Sequence, residues 1–591
     1  MKKIFLLLAV VGVMFTACSE KGADDSNNEE AVFISDSEGN YVVEADGGII
    51  VVTVSTNLEY SVVIPDEAQS WLSIADTRAI RVEKLTFTIA KNEAEAERSA
   101  VVKLLGSDNA ELQSLSFVQK GTGGGDNPDN PNGGDEIPDD RTLVIMFQDE
   151  NTKLLCTLHW DENEDSELSY EEAAAVTNLG AVFTGSSILA FNELQYFTSL
   201  ENIANSAFNG CASLKLITIP DSVTSIGRGA FYDCTSLTSV YIPDSVTSIE
   251  DYAFYGCNSL TSVNIPDGVT SIGGGVFCDC TSLTGVSIPD SVTSIGDFAF
   301  ENCSSLPSIT IPDGVTSIGE YAFYGCSSLT SVTIPDGVTS IRDSAFRGCT
   351  SLTSITIPDG VTSIEYGAFE DCTSLTSITI PDGVTSIGNS AFEGCSSLTS
   401  ITLPDSVTSI GDSAFENCTS LTSITIPDSV TSIGWSVFYG CSSLTSATIG
   451  NGLTTIEYGA FYECTSLTSV TIPDGVTSIE FFAFSFCSSL TSITIPDSVI
   501  SIGDYAFQDC TSLTSVTIPD GVTTIGKSAF AGCSSLTNVY CKPTTPPAGG
   551  SRMFDGNASG RKIYVPRDSV EAYKSASYWD GYAEDIEGYD F

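Results

Sequence analysis

Cysteine recurs every 23 residues from Cys211 to Cys533, and this fixed period constrains the fold more than any other feature of the sequence. Each unit also repeats Leu-x-x-Ile-x-Ile-Pro-Asp, then Val-x-Ser-Ile, and then Ala-Phe or Val-Phe shortly before the cysteine, as in 421–441. A period between 20 and 50 residues is typical of solenoids, in which each unit is one supersecondary element. The sequence therefore predicts a stack of similar coils.

A single coil cannot fold alone. Its six large inward side chains would contribute at most about 18 kcal/mol, whereas ordering 23 residues costs roughly 35 kcal/mol. Stacking buries each coil against two neighbours, so stability becomes a sum over adjacent coils. Leu-x-x-Ile-x-Ile-Pro predicts one short parallel strand per coil, ended by a proline without a ladder donor. At about 4.8 Å per strand, the coils of 197–541 would extend for roughly 65 to 70 Å.

These residues resemble the BspA-like class of leucine-rich repeats found on bacterial surfaces. The resemblance covers 197–541. It implies a mainly β solenoid with a role in adhesion or recognition, with a protein partner and without catalysis. The chain has one histidine, His159, and nothing singles out a catalytic pair among its 76 acidic residues. We therefore predict no enzyme.

The periodic cysteines of an exported protein invite a disulfide interpretation. Neighbours in their column would lie about 5 Å apart, which permits a bond. An odd number of equivalent inward positions nevertheless favours a ladder of small buried apolar side chains. We therefore predict free thiols.

The N-terminus has the features of an export signal. Lys2 and Lys3 precede an apolar run over 4–15. A helix that crosses a bilayer needs roughly 20 apolar residues, so this run is too short. We predict a signal peptide over 1–17.

The tetrapeptide Phe-Thr-Ala-Cys at 15–18 resembles a bacterial lipobox, which implies lipidation of Cys18. The alternative is an ordinary secretory signal that ends in cysteine. The acidic stretch 19–31 is similar to export tags of Bacteroidetes surface lipoproteins. The resemblance implies an outer-membrane lipoprotein on the extracellular side, with 18–31 as its anchor and tether.

Strong acidity limits the partners. The chain carries 76 acidic and 23 basic residues, for a formal net charge of -53. Nucleic acid is bound through clustered Lys and Arg, which this sequence lacks. We predict no nucleic-acid partner, and a membrane association only through the lipid anchor. Divalent cations and cationic partners are compatible with this charge.

Two further segments precede the repeats. Alternating apolar runs over 32–120 predict a small β-sandwich. Their order, with Ser-Trp-Leu at 70–72 and the ending Leu-Ser-Phe-Val-Gln-Lys-Gly at 115–121, resembles the BACON domain, for which carbohydrate binding or a spacer role is implied. Gly, Pro, Asn and acids dominate 121–140, which we interpret as a flexible linker.

An acidic loop over 161–172 resembles an EF-hand calcium site. Its ligand positions would be Asp161, Asn163, Asp165, Glu167, Ser169 and Glu172. Ser166 replaces the glycine that such loops use for their sharp turn. Ca²⁺ is therefore the one cofactor that the sequence suggests, and a capping box at Ser169 and Glu172 is the alternative. We interpret 141–196 as an N-terminal cap of the solenoid and 542–591 as a C-terminal cap.

Variation between repeats concentrates in the two residues after Ile-Gly or Ile-Glu and the two before the cysteine. Aromatic residues at these positions predict a binding stripe, chiefly Tyr252, Tyr255, Tyr321, Tyr324, Tyr366, Trp435, Tyr439, Tyr458, Tyr462 and Tyr505, together with Tyr232, Phe298, Phe481, Phe482 and Phe486. The alternative is drift at unconstrained loop positions. The sequence thus leaves three functions open: a protein-binding adhesin, a glycan- or mucin-binding module, and a structural spacer.

Overall fold

A computed structural model describes residues 144–591 throughout and, before them, the backbone of eight strands between 32 and 119. The predicted signal peptide, the lipidation site Cys18, the tether 18–31 and the linker 121–140 lie outside the described residues. The chain divides into two compact units, Met1–Met146 and Phe147–Phe591.

The described strands of the first unit form two four-stranded sheets. The strands are β1 (Val32–Ile34), β2 (Asn40–Val43), β3 (Gly48–Thr56), β4 (Tyr60–Val63), β5 (Leu72–Ile74), β6 (Glu83–Ile89), β7 (Arg98–Gly106) and β8 (Glu111–Gln119). One sheet has the order β1-β3-β6-β5 and is antiparallel, and the other has the order β2-β8-β7-β4, in which only β2 and β8 are parallel. Two small sheets are what a β-sandwich requires. The resemblance to BACON stays a prediction.

Short helices lie at both ends of the second unit. They are α1 (Glu150–Trp160), α2 (Tyr170–Ala175) and a 3-10 helix (Asn192–Tyr196) before the coils, and α3 (Val570–Ser575) between two 3-10 helices (Arg567–Ser569 and Asp580–Tyr582) after them. The Asp149 carboxylate accepts a hydrogen bond from Asn151 N at 3.2 Å and so caps α1. The ring of Trp160, the last residue of α1, lies 5.5 Å from that of Phe197. This contact places α1 over the first coil.

Between these ends the chain forms a parallel β-solenoid of about 17 turns. Its first ladder comprises Ala190–Phe191, Leu216–Ile217, Ser262–Asn264, Gly285–Ser287, Ser308–Ile309, Ser331–Thr333, Ser354–Thr356, Ser377–Thr379, Ser400–Thr402, Ser423–Ile426, Ser446–Ile449, Ser469–Thr471, Ser515–Ile518, Asn538–Cys541, Lys562–Pro566 and Ile586–Tyr589. Partners in the central coils are 23 residues apart, as in Ser423 and Ser446. The predicted mainly β solenoid is confirmed.

The structure corrects one detail, because most coils carry two short strands rather than one; in two coils, isolated bridges at Ser239, Tyr241 and Thr494 take the place of the first strand. The second ladder comprises Asn202–Ile203, Ser225–Ile226, Ser248–Ile249, Ser271–Ile272, Ser294–Ile295, Ser317–Ile318, Ser340–Ile341, Ser363–Ile364, Ser386–Ile387, Ser409–Ile410, Ser432–Ile433, Thr455–Ile456, Ser478–Ile479, Ser501–Ile502, Thr524–Ile525 and Ala548–Gly549. In a typical member, Ile433 is buried and Ser432 is exposed. Two residues are too few to show an alternating pattern, so no sequence pattern predicts this strand.

Stacked phenylalanine rings form the centre of the core. Each coil contributes one fully buried ring, and those of Phe392, Phe415 and Phe438 are typical. Phe415 lies 5.4 Å from Phe392 and 5.6 Å from Phe438, with the planes within 5° of parallel. Centroid distances in this range are favourable for offset aromatic pairs. The rings therefore reinforce the coil-to-coil register that the ladders set.

The periodic cysteines are buried beside this column as free thiols. Each donates a hydrogen bond to the carbonyl oxygen of a phenylalanine in the preceding coil, as Cys441 does to Phe415 at 3.2 Å. Burial raises the pKa of the Cys441 thiol to about 12. The thiol therefore acts as a small buried side chain that also donates to a backbone carbonyl.

We expect the periodic thiols to be unreactive in the folded protein, because nucleophilic attack needs an exposed thiolate. Maleimide labelling at pH 8, followed by intact mass, measures this directly. The native chain should take up almost no label, and the chain in denaturant without reductant should be labelled at all of these positions. Missing labels in denaturant would reveal disulfides and contradict the assignment.

The C-terminal residues continue the solenoid and close it. The last two strands of the first ladder lie in the predicted cap, and Phe554 stacks on Phe530 at 5.7 Å. Tyr573 and Trp579 are fully buried, and they donate hydrogen bonds to the carbonyls of Pro543 at 2.7 Å and Pro547 at 2.9 Å. These contacts shield the final coil from water, as a terminal repeat must be shielded.

Candidate binding surface

A six-residue corner lies between the second strand of each coil and its cysteine, and it holds the four positions that vary most between repeats. In the coil of Trp435 the corner covers 435–440, and we call 435, 436, 439 and 440 corner positions 1 to 4. The backbone N–H groups of Ser436, Phe438 and Gly440 donate to carbonyls of the next coil at 2.8 to 2.9 Å. Positions 2 and 4 adopt positive φ, 55° at Ser436 and 70° at Gly440. The corners thus form a third set of hydrogen bonds between coils.

Corner position 1 has a structural role that the sequence analysis missed. Where it is Asp or Asn, the side-chain oxygen accepts a hydrogen bond from the position 1 N–H of the next coil, as Asp412 does from Trp435 at 2.8 Å. Asn205, Asp251, Asp297, Asp343, Asn389 and Asp504 make the same contact. In the sequence, this role is visible only as the recurrence of Asp and Asn at corner position 1. Some of the acidic side chains therefore stabilise the stacking of the coils.

Eight aromatic rings gather on the corners of four successive coils, and we call them the aromatic patch. The patch consists of Trp435, Tyr439, Tyr458, Tyr462, Phe481, Phe482, Phe486 and Tyr505. Its rings form a connected set, with centroids 5.0 Å apart between Tyr439 and Tyr462 and 5.7 Å apart between Tyr458 and Phe481. Trp435 is 61% exposed and Tyr458 is 42% exposed, and the others are half-buried by one another. Five of the ten residues of the main predicted stripe are thus brought together.

The patch replaces residues that the corner geometry favours. Trp435, Tyr458 and Phe481 occupy position 1 on three consecutive coils, where Asp or Asn would cap the next coil. Phe482 and Tyr505 occupy position 2 with φ of 59°. Most other coils have Ser or Gly there. A left-handed conformation costs about 1–2 kcal/mol for a residue with a Cβ, and a bulky side chain is rarer in it than a small one. The aromatic side chains therefore occupy these positions against the local backbone preference.

The remaining predicted aromatics form smaller groups. Tyr255 stacks on Tyr232 at 4.5 Å and contacts Tyr252, while Tyr321 stacks on Phe298 at 5.1 Å and contacts Tyr324. Tyr366 lies between these groups and the patch and is 43% exposed. The predicted stripe is therefore three separate clusters and one single ring.

Carboxylates surround the patch. Corners of the same or adjacent coils hold Asp412, Glu416, Glu463, Asp504 and Asp509, and Glu457 and Glu480 directly precede two corners of the patch. Burial and then the nearby charges of Glu480 and Asp412 raise the pKa of the Glu457 carboxyl. Burial and then Glu463 raise the pKa of the Tyr462 hydroxyl. The patch is an apolar surface in a strongly negative field.

Cationic side chains meet corner aromatics at three places, one of which is the last ring of the patch. The Arg228 guanidinium lies 5.2 Å from the centroid of the Tyr252 ring, and the Lys527 ammonium lies 5.3 Å from that of Tyr505. Arg347 is placed over Tyr324 at 5.9 Å. In each pair the cation comes from an adjacent coil, so the exposed faces of these rings accept cations.

The acidic loop 161–172 has the turn geometry of the predicted calcium loop. Ser166 adopts φ 70°, the conformation for which such loops use glycine. The Asp161 carboxylate accepts hydrogen bonds from Ser166 N at 2.8 Å and Asp165 N at 3.3 Å. The Glu167 side chain points away from the loop and forms an ion pair with Lys153 at 2.7 Å. This agrees with loop position 7, which would bind calcium only through its backbone carbonyl.

Hydrogen bonds also occupy the last of the predicted calcium ligands. Glu172 accepts from the N–H groups of Glu162 at 2.9 Å and Ser169 at 2.8 Å, and the predicted capping box is present. Asn163 accepts from Asp165 N at 2.8 Å. Within the described part of the chain, no three His, Cys, Asp or Glu side chains are grouped as a metal site requires. Calcium binding stays a prediction.

The described residues also contain shallow grooves along the second ladder. One is lined by Ile479, Ile502 and Ile525, with Glu480 and Lys527 at its edge. The described helices include none that is long and apolar enough to cross a membrane.

Parallel strands, a 23-residue spacing and a buried Leu, Ile and Phe core define a leucine-rich-repeat solenoid. A family profile described as "BspA type Leucine rich repeat region (6 copies)" matches residues 182–292, 270–399, 362–487 and 454–580. The chain therefore belongs to the BspA-type leucine-rich-repeat family, whose members are cell-surface proteins that generally bind other proteins. The repeats are of a non-enzymatic fold kind.

Solved structures of repeat proteins are similar to this chain. A leucine-rich-repeat protein from Bacteroides ovatus is 34% identical over 62% of this chain and 88% of its own, with a TM-score of 0.48. A leucine-rich cell-surface protein from Faecalibacterium prausnitzii is 31% identical over 58% of this chain and 77% of its own, with a TM-score of 0.29. No curated protein matches the chain.

Proposed function

We propose that this chain is a cell-surface adhesion protein that binds another protein through the aromatic patch, without catalytic activity. One observation carries the proposal: eight aromatic rings are gathered on adjoining corners, and five of them occupy positions 1 and 2, where most other coils have Asp, Asn, Ser or Gly. Tyr and Trp are enriched among the residues that dominate the energy of protein interfaces. A spacer would gain nothing from exposed rings at Trp435 and Tyr458.

The proposed location follows from the N-terminal sequence. Lipidation of Cys18 would hold the protein on the outer membrane, and the segments 18–31 and 121–140 would separate the repeats from that surface. In this proposal the BACON-like unit serves as a spacer. A glycan or mucin ligand is the second candidate, because exposed aromatic rings also stack on sugars.

Binding of the full chain to arrays of matrix proteins, mucins and glycans tests the proposal. The variant Trp435→Ala/Tyr458→Ala removes the two exposed rings of the patch, and Tyr366→Ala is a matched control with a ring of similar exposure outside the patch. One central interface residue contributes about 2 kcal/mol, which is roughly 30-fold in Kd, so the double variant should weaken binding by at least that factor. The control should bind normally.

Each outcome on the arrays decides between the candidate functions. A protein ligand whose affinity falls only in the double variant supports the proposal. A ligand that is exclusively a glycan would establish the second candidate. Equal binding by the double variant and the wild type would refute a role for the patch.

We also propose that the loop 161–172 binds Ca²⁺ and thereby stiffens the N-terminal cap. Millimolar CaCl₂ should then stabilise the wild type against unfolding by about 1–3 kcal/mol, as expected for a ligand present at 10 to 100 times its Kd. The Asp161→Asn/Glu172→Gln variant should show no such gain. Calorimetry without a heat of binding, and equal stability with CaCl₂ or EDTA, would leave only the helix-capping role.

A further inference from the structure

We propose that the aromatic patch recognises an arginine- or lysine-rich segment of its protein partner. This inference rests on the proposed function and specifies the chemistry of the ligand. The cationic groups would lie on the exposed ring faces, and the surrounding carboxylates would balance their positive charge. Ring faces carry the negative end of an aromatic quadrupole, so both parts of the surface attract the same ligand.

The first support is that the corner aromatics already take cations where the chain provides them. Arg228 lies over Tyr252, Arg347 lies over Tyr324 and Lys527 lies over Tyr505, all within 5.9 Å of the ring centroid. Lys527 marks the C-terminal edge of the patch. The other rings of the patch lie within 348–526, which contains no Lys or Arg to place over them.

The second support is the distribution of charge along the sequence. Residues 348–526 contain no Lys, Arg or His, and the aromatic patch lies within this stretch. The carboxylates around the patch therefore have no basic partner within 348–526. Glu480 and Asp412 are close enough to Glu457 to raise the pKa of its carboxyl further, beyond the effect of burial. A cationic segment would relieve this repulsion between like charges.

The third support is size. The patch spans four coils, which is about 15 Å along the solenoid at roughly 4.8 Å per coil. An extended segment of about five residues covers that length. Two or three cationic side chains on one face of such a segment would each reach a ring. A neutral segment would bring no charge to this surface, and an acidic segment would be repelled by its carboxylates.

Octaarginine, octalysine and a neutral Gly-Ser octapeptide serve as probes, titrated into the full chain by calorimetry at 50 and 300 mM NaCl. The Trp435→Ala/Tyr458→Ala variant removes two rings and leaves the net charge unchanged. Glu457→Gln/Glu480→Gln removes two carboxylates at the patch. Asp359→Asn/Asp382→Asn removes two exposed carboxylates from distant Pro-Asp turns and is the matched charge control.

We expect octaarginine to bind more tightly than octalysine, because a guanidinium stacks on aromatic faces better than an ammonium. Its Kd should rise at least 10-fold in the aromatic variant and at least 5-fold in Glu457→Gln/Glu480→Gln. It should change less than 2-fold in the charge control. The effect of the aromatic variant should persist at 300 mM NaCl, since contacts with desolvated rings are less screened than exposed charges.

Two results would overturn the inference. Octaarginine binding that the aromatic variant leaves unchanged would mean that net charge alone holds the peptide. A protein ligand from the arrays that requires Trp435 and Tyr458, combined with absent octaarginine binding, would refute the cationic chemistry while the proposed function stands. Equal array binding by the wild type and the Trp435→Ala/Tyr458→Ala variant would refute the proposed function instead.

Discussion

Replacing Phe415 with alanine is expected to lower the free energy of unfolding by about 3–5 kcal/mol, the range for a fully buried phenylalanine. The ring is completely buried, and rings lie 5.4 Å from it in the preceding coil and 5.6 Å in the following one. Hydrogen-bonded ladders hold both neighbouring coils in register, so the cavity cannot collapse. The loss in free energy of unfolding therefore has two parts, the lost burial of the ring and the cavity that it leaves.

Guanidinium unfolding followed by circular dichroism measures the loss, with Tyr366→Ala as the control. Tyr366 is aromatic but 43% exposed, so its replacement should cost less than about 1 kcal/mol. In a solenoid the damage should also be local, because each coil contacts only its neighbours. Amide exchange should accelerate most in 392–438. Equal effects of the two substitutions would show that the stacked column does not carry the stability.

The sequence predicted the parts of the fold that depend on periodicity. The 23-residue spacing and the inward Leu, Ile, Phe and Cys positions were enough to predict a solenoid of parallel strands. The second ladder was not predictable, since two-residue strands such as Ser432–Ile433 leave no pattern. The donor role of the thiols was hidden for a different reason. The contact from Cys441 to Phe415 joins residues in different coils, so it appears only after stacking.

The candidate site was predictable by position but not by grouping. Comparison of the repeats singled out the four corner positions, and the aromatic residues there were all identified. Which rings meet depends on the left-handed corner backbone, which brings the consecutive rings of Phe481 and Phe482 within 4.2 Å. It also sets Phe482 against Tyr505 of the next coil at 5.0 Å. Sequence spacing alone does not carry this information.

The stability of the solenoid is expected to fall as the pH rises from 5 to 8, because the buried carboxyl of Glu370 ionises in this range. Its side chain is almost completely buried and forms an ion pair with Arg347 at 2.7 Å. Burial nevertheless raises the pKa of the Glu370 carboxyl from 4.5 to about 7, with Arg347 opposing the shift and Glu393 and Asp371 adding to it. The folded state therefore holds the proton more tightly than the unfolded state does.

The sign of the effect follows from proton linkage. Because the folded pKa is the higher one, ionisation of Glu370 costs stability progressively between pH 4.5 and about 7, and the full cost applies above that range. At about 1.4 kcal/mol per pKa unit, one group contributes at most roughly 3 kcal/mol. Glu301 and Glu416 act in the same direction, since burial raises the pKa of both carboxyls.

Glu370→Gln isolates the contribution of this carboxyl, because glutamine has the shape of the protonated acid. Within the described residues, Glu370 Oε2 and Ser344 Oγ are both buried without a hydrogen-bond partner. Both atoms lie beside Gly367, at 2.9 Å and 3.1 Å from the position that a Cβ on this glycine would occupy. An amide can donate near this hydroxyl, whereas a carboxylate cannot. Chemical denaturation at pH 5 and 8 should show the variant more stable than the wild type only at pH 8, by about 1–3 kcal/mol. Asp359→Asn, which removes one exposed charge, should follow the wild type at both values. A variant that loses stability at pH 8 would show that the ion pair with Arg347 outweighs the burial of the charge.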